Sequence, residues 1–152
     1  MKIELDEALC AKYPKMLVDR RAPKRTTAMC WGFECGDGWY NLLDALMHNI
    51  QSHIDWRERQ RTYAIENGQD VPVEVPQVTL SQVKEKFGTL SFYYNGGDDR
   101  IFGMVMLAET ISGITCEDCG APGSRRGGGW IRTLCDSCES AYQKRKDSYK
   151  EE

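Results

Sequence analysis

The sequence predicts an α+β fold: helices packed on a small antiparallel sheet or hairpin, closed at the C-terminal end by a treble-clef-like ribbon and a last helix. Three observations carry that expectation. Apolar residues keep helical spacing from Trp39 to Ile54. Residues 70–95 switch to a period of two. The last third holds two Cys-x-x-Cys pairs, Cys116/Cys119 and Cys135/Cys138, with fifteen residues between them.

Taken in order, residues 3–13 place Ile3, Leu5, Leu9 and Tyr13 on a short helix that stops near Pro14, because proline restricts the residue before it. Between Lys12 and Arg25 stand six basic residues and one acid, Asp19. A solvated linker is the plainer reading of that run, an anion-facing surface the sharper one. Gly36 and Gly38 flank Asp37 and read as a turn ahead of a helix. That helix carries Trp39, Leu42, Leu43, Leu46, Ile50 and Ile54 and is the expected backbone of the core. Asn67-Gly68 is its expected stop.

Cys30, Cys35, His48 and His53 form C-x4-C-x12-H-x4-H, within the spacing of two-Cys, two-His fingers. Five residues on a helix turn through roughly 140°, so His53 shares the Leu46/Ile50 face and His48 does not. The plainer expectation is a core cysteine, a half-buried histidine and a surface histidine. A second metal site on these four residues is the alternative. A Cys/His nucleophile pair lacks a group to orient the base.

Val71, Val73 and Val75 alternate with Pro72, Glu74 and Pro76, which suits an edge strand or an extended lead-in. Val78 and Leu80, then Leu90, Phe92 and Tyr94, give the two arms of an antiparallel hairpin. Lys84 to Gly88 stand between them as a turn or bulge, and Asn95-Gly96-Gly97-Asp98 closes the unit. The exposed face would carry Tyr93 with Lys84 and Lys86. Aromatic and basic residues together can stack and pair with nucleotides, although a half-solvated sheet face is the plainer reading. Residues 99–112 repeat Ile101, Met104, Val105, Ala108 and Ile111 as a helix. Gly103 inside it costs about 1 kcal/mol against alanine, which predicts a close packing contact there. This helix runs directly into Cys116, so the ribbon is expected to be docked rather than tethered.

In the ribbon itself, each Cys-x-x-Cys pair can offer two thiolates from a tight turn. Gly120 follows the first pair, where a knuckle needs freedom from Cβ strain. Gly127, Gly128 and Gly129 suit a hairpin tip. The polar, helix-favouring stretch after Cys138 puts the second pair at a helix start, where the dipole favours thiolate. The expectation is one structural Zn2+ on Cys116, Cys119, Cys135 and Cys138. Four thiolates close the tetrahedron and leave no place for water. We read a main domain over 1–114 and a zinc ribbon with its helix over 115–152.

A net charge of −3 weakens a whole-chain case for nucleic acid, leaving local patches. Seven cysteines, four of them in metal spacing, fit a reducing cytoplasm, and no apolar run is long enough for a membrane span. Three stray cysteines and exposed tyrosines are compatible with a dimer surface. Tyr13-Pro14, CWGFECGDGWYNLLDAL (residues 30–46), IQSHID (50–55), QVKEKFGTLSFYYNGGDD (82–99), ITCEDCGAPGSRR and LCDSC run through most of the chain. On these segments it resembles a family of small tailed-phage and prophage proteins with a C-terminal four-cysteine ribbon. The resemblance implies action in the cytoplasm of an infected bacterium and brings no catalytic residue or substrate. The first expectation is therefore a non-enzymatic accessory protein that binds a host protein or complex, for example to block a CRISPR effector or a signalling defence. Another is a nucleic-acid-binding regulator using Arg125, Arg126, Trp130 and Arg132. A third is a small-nucleotide sponge using Lys84, Lys86 and Tyr93.

Overall fold

The computed structural model describes residues 1–127 and 129–148. Its α+β architecture has four helices, α1 (Ile3–Lys12), α2 (Tyr40–Glu66), α3 (Asp99–Ser112) and α4 (Asp136–Ser148), and five strands, β1 (Phe33–Glu34), β2 (Thr79–Lys86), β3 (Thr89–Asn95), β4 (Ser124–Arg126) and β5 (Arg132–Leu134). The first three strands make one sheet in the order β1-β2-β3, and the last two make a separate hairpin. None of the described helices is long and apolar enough to cross a membrane.

The central helix α2 buries Leu43, Leu46, Met47, Ile50, His53 and Ile54 on one stripe. These side chains meet Leu80, Val83, Leu90 and Phe92 of the sheet and Ile101, Val105 and Ala108 of α3 in one core. Trp39 lies in a 3-10 turn just before α2, fully buried. At the other end the amides of Gly68 and Gln69 bond back to Ile65 and Ala64, so Asn67-Gly68 is the stop.

The predicted hairpin forms with a tighter turn than expected. Lys84, Glu85 and Lys86 belong to β2, and Phe87-Gly88 alone makes the turn, both at positive φ. The 70–78 stretch forms no strand; Arg57 holds its Val73 carbonyl at 2.9 Å, so it is a lead-in. A third strand, β1, pairs parallel with β2, Phe33 opposite Val83, making the sheet mixed. Two residues are too few to show alternation in sequence. Gly103 has nothing within 4 Å of where a Cβ would stand, so the close contact expected there is absent.

Half of the basic run from Lys12 to Arg25 is paired within the fold. Lys12 pairs with Asp44 at 2.7 Å, Lys15 with Asp55 at 3.6 Å, and Arg20 with Asp6 at 2.8 Å. Half of its six cations thus have carboxylate partners, which halves the charge open to an anion there.

Candidate metal centre and its dock

The first knuckle is built from backbone. The Cys116 amide donates to Ala121 O at 2.7 Å and the Gly120 amide to Cys116 O at 2.8 Å. That turn carries Gly120 through φ 77°, which is why glycine stands there. The β4–β5 hairpin returns the chain, and Cys135 precedes α4 while Cys138 sits in its first turn. Gly127 and Gly129 fall in the hairpin tip; Gly128 and residues 149–152, which the sequence reading placed in the tip and the last helix, lie outside the described residues.

The four sulfurs meet. All lie within 4.8 Å of one another, and Cys119 Sγ stands 3.7 Å from Cys135 Sγ. With Zn–S about 2.3 Å, a tetrahedral site has sulfur–sulfur edges of about 3.8 Å. A disulfide needs about 2.05 Å, and all seven cysteines are free. The spacing and the soft, four-sulfur donor set fit a closed zinc site. The Cys138 backbone N–H holds the Cys135 thiol below its ordinary range, while burial and the neighbouring cysteines push the Cys138 thiol up.

Cys30, Cys35, His48 and His53 do not assemble. Among the described residues the four C-terminal cysteines are the group of three or more with ligand atoms close enough for an ion. His53 is buried and its Nε2 bonds Asp98 Oδ2 at 2.8 Å, while His48 is exposed on the far side of α2. Cys35 is buried, and burial pushes its thiol up to about 12; burial and Asp6 push Cys10 up to about 11.

The candidate contact residues divide into two sets. Arg132 bonds Glu117 at 3.2 Å and Asp118 at 2.6 Å, and Arg126 bonds Leu134 O and Asp136, so both serve the ribbon. Arg125 donates to the Phe87 carbonyl at 2.6 Å. Lys84, Lys86 and Trp130 line one cleft, and Lys84 Nζ lies 5.7 Å from the Tyr93 ring.

Glu117, between the first two ligands, was not singled out in the sequence. It is 5 % exposed, accepts the Gly36 amide at 2.9 Å and pairs with Arg132. Its own carbonyl accepts the Gly38 amide at 2.8 Å, and Trp39 Nε1 donates to Thr115 O at 2.9 Å. The Gly-Asp-Gly turn ahead of α2 is therefore the dock for the first knuckle. A Cβ on Gly38 would stand 2.3 Å from Cys116 O, 2.4 Å from Gly120 N and 2.6 Å from Cys119 N, all backbone. Gly38→Ala should destabilise the protein by about 1–3 kcal/mol and weaken metal retention against a chelator, because the knuckle itself must shift. Unfolding curves and competitive zinc titration of this variant check both; an unchanged pair of values would refute the dock.

Comparison with family models, curated proteins and solved structures finds no match for this chain. The chemistry of the site is what speaks for function.

Proposed function

We propose that the protein is a zinc-braced accessory protein of phage or prophage origin. In this reading it binds a host protein or complex in the bacterial cytoplasm and so alters or blocks a host process such as a defence or signalling system. When bound, zinc closes the four-thiolate site and supplies shape, with no open position for reaction.

The observation that carries the reading is the outward arc of α3. Phe102, Met106 and Leu107 are 57 %, 53 % and 60 % exposed. With Gly103 they span roughly 140° of the helix surface. Beside them a groove of about 380 Å³ between α2 and α3 is lined by Leu42, Leu46, Met104 and Ile111. A glycine inside a helix costs about 1 kcal/mol, and here no internal contact offsets it. A partner surface seated on α3 would use both the apolar side chains and the close approach that glycine permits.

The test is retention of a host protein from bacterial lysate at one-to-one stoichiometry by the tagged, zinc-loaded chain. Phe102→Asp with Met106→Asp should release it and leave the helical signal intact, since both side chains are exposed. If nothing is retained, if the double variant retains as much, or if a self-dimer covers this face, the reading fails.

A further inference from the structure

The tip of the β2–β3 hairpin faces the β5 end of the ribbon across a cleft of about 430 Å³, lined by Lys84, Glu85, Lys86, Phe87, Trp130 and Ile131. Two aromatic side chains stand open there: Phe87 is 66 % exposed and Trp130 67 %. Phe87 sits at φ 54°, a backbone conformation that favours glycine or asparagine and that a bulky residue adopts when its surroundings impose it.

Those surroundings are specific. Arg125 Nη2 donates to Phe87 O at 2.6 Å, the Gly88 amide donates to Glu85 Oε1 at 2.6 Å, and Thr133 Oγ1 donates to Gly88 O at 2.5 Å. The turn is held rigid from three sides, and two of the three holds come from the ribbon. A turn selected for stability alone would carry asparagine at this position. The phenyl ring adds nothing to the core in return.

Two ammonium groups and one carboxylate, Glu85, surround the rings and leave one net positive charge. Lys84 Nζ lies over Tyr93 at 5.7 Å and Lys86 Nζ over Phe87 at 5.8 Å. Glu85, the acid lining the cleft, is committed to the Gly88 amide. Two ammonium groups beside two exposed aromatic rings match a phosphate next to a base with its face available. A peptide carboxylate would satisfy the lysines and leave the rings unstacked. A duplex hides its base faces, and a chain of net charge −3 offers little for duplex phosphates alone.

We propose that this cleft binds single-stranded nucleic acid, with bases stacked on Phe87 and Trp130 and the adjoining phosphates at Lys84 and Lys86. The site lies on other elements than the apolar arc of α3 and does not depend on the role assigned to that arc. It does depend on the ribbon, which positions Trp130 and pins the turn.

The experiment is fluorescence anisotropy of a labelled single strand of about 12 nucleotides with the full, zinc-loaded chain at about 20 mM salt. Phe87→Asn should weaken binding about tenfold while the unfolding temperature holds or rises, because asparagine suits the turn. Trp130→Ala should weaken binding by a similar factor, and its exposure makes loss of fold a minor concern. Lys84→Gln and Lys86→Gln should each lower the salt slope of log K by about 0.7. The proposal is overturned by no binding, by equal affinity for duplex, or by aromatic variants that bind like the parent. It is equally overturned if polyglutamate or a free mononucleotide displaces the strand at matched charge. The Phe102/Met106 variant should bind the strand normally, which separates failure of this site from failure of the α3 surface.

Discussion

Removing the metal should dismantle the ribbon and loosen what it touches. A structural four-thiolate zinc contributes about 10–16 kcal/mol of apparent binding energy at neutral pH. The whole stability of a typical domain is about 5–15 kcal/mol. Little else holds this end of the chain. α4 buries no side chain among its described residues, and β4–β5 is three residue pairs long. What remains is the burial of Leu134 and Thr133, the pairing of the Glu117 amide with Thr133 O at 2.9 Å, the Arg132 ion pairs with Glu117 and Asp118, and a few hydrogen bonds to the Gly36–Trp39 turn and the Phe87-Gly88 turn. Chelation under reducing conditions should therefore release one ion per chain and erase amide protection across β4, β5 and α4.

The loss should spread along two identified routes. Glu117 leaves Gly36 and Gly38, freeing the start of α2, and Thr133 leaves Gly88, freeing the hairpin turn. The main core should stay folded at a lower unfolding temperature, since Leu43, Ile50, Leu80, Leu90 and Ile101 pack without the ribbon. Cys116→Ser should reproduce the effect without chelator. Hydrogen exchange followed residue by residue is the measurement. Protection at Thr133 and Leu134 that survives metal removal, with a melting temperature within about 2 °C of the loaded protein, would refute the account.

What could be read from the sequence was what is local. The two knuckles, the α2 stripe, the β2–β3 arms and α3 each announce themselves within a few turns of chain, through spacing that sterics and burial impose. Two tertiary features were not legible because nothing nearby encodes them. Glu117 meets Gly36 across 81 residues, and Phe33 meets Asp6 across 27. Gly103 shows the opposite error. A helix glycine suggests internal packing, but the structure leaves Gly103 open on the apolar arc of α3. The histidine pair had finger-like spacing, but helix phase alone already favoured the outcome found, His53 turned to the core and His48 to solvent. The turn at Phe87-Gly88 was legible as part of the Lys84–Gly88 break between the strands, but the positive φ of Phe87 was not, because only the ribbon contacts of Arg125 and Thr133 explain it.

Asp6→Ala should be the most damaging substitution away from the metal, at about 3–5 kcal/mol, because it strands a buried charge. In sequence Asp6 looks like the polar side of a short helix. In the structure it is 4 % exposed and lies at the centre of four segments. Oδ1 accepts from Arg20 Nε at 2.8 Å and from the Cys10 thiol at 3.5 Å, and Oδ2 accepts the Phe33 amide at 3.0 Å. Arg20 Nη1 continues to Cys30 O at 3.1 Å, and the pairing with Asp6 holds the guanidinium above its ordinary range. Gly32 passes so close that a Cβ there would stand 2.2 Å from Oδ2. One carboxylate thus joins α1, the basic loop, the 3-10 turn and the start of β1. Without it the buried Phe33 amide and the half-buried Arg20 charge both lose their partner. For a chain of this length the expected fall in melting temperature is roughly 10 °C. Asp6→Asn keeps an acceptor for Phe33 and should cost less. Adding Arg20→Met to Asp6→Ala should recover part of the loss, because the stranded cation is removed and apolar volume is kept. Equilibrium unfolding of the three variants separates these terms. A cost for Asp6→Ala below about 1 kcal/mol, or a double variant no better than the single, would show that the pair is not what closes this end of the sheet.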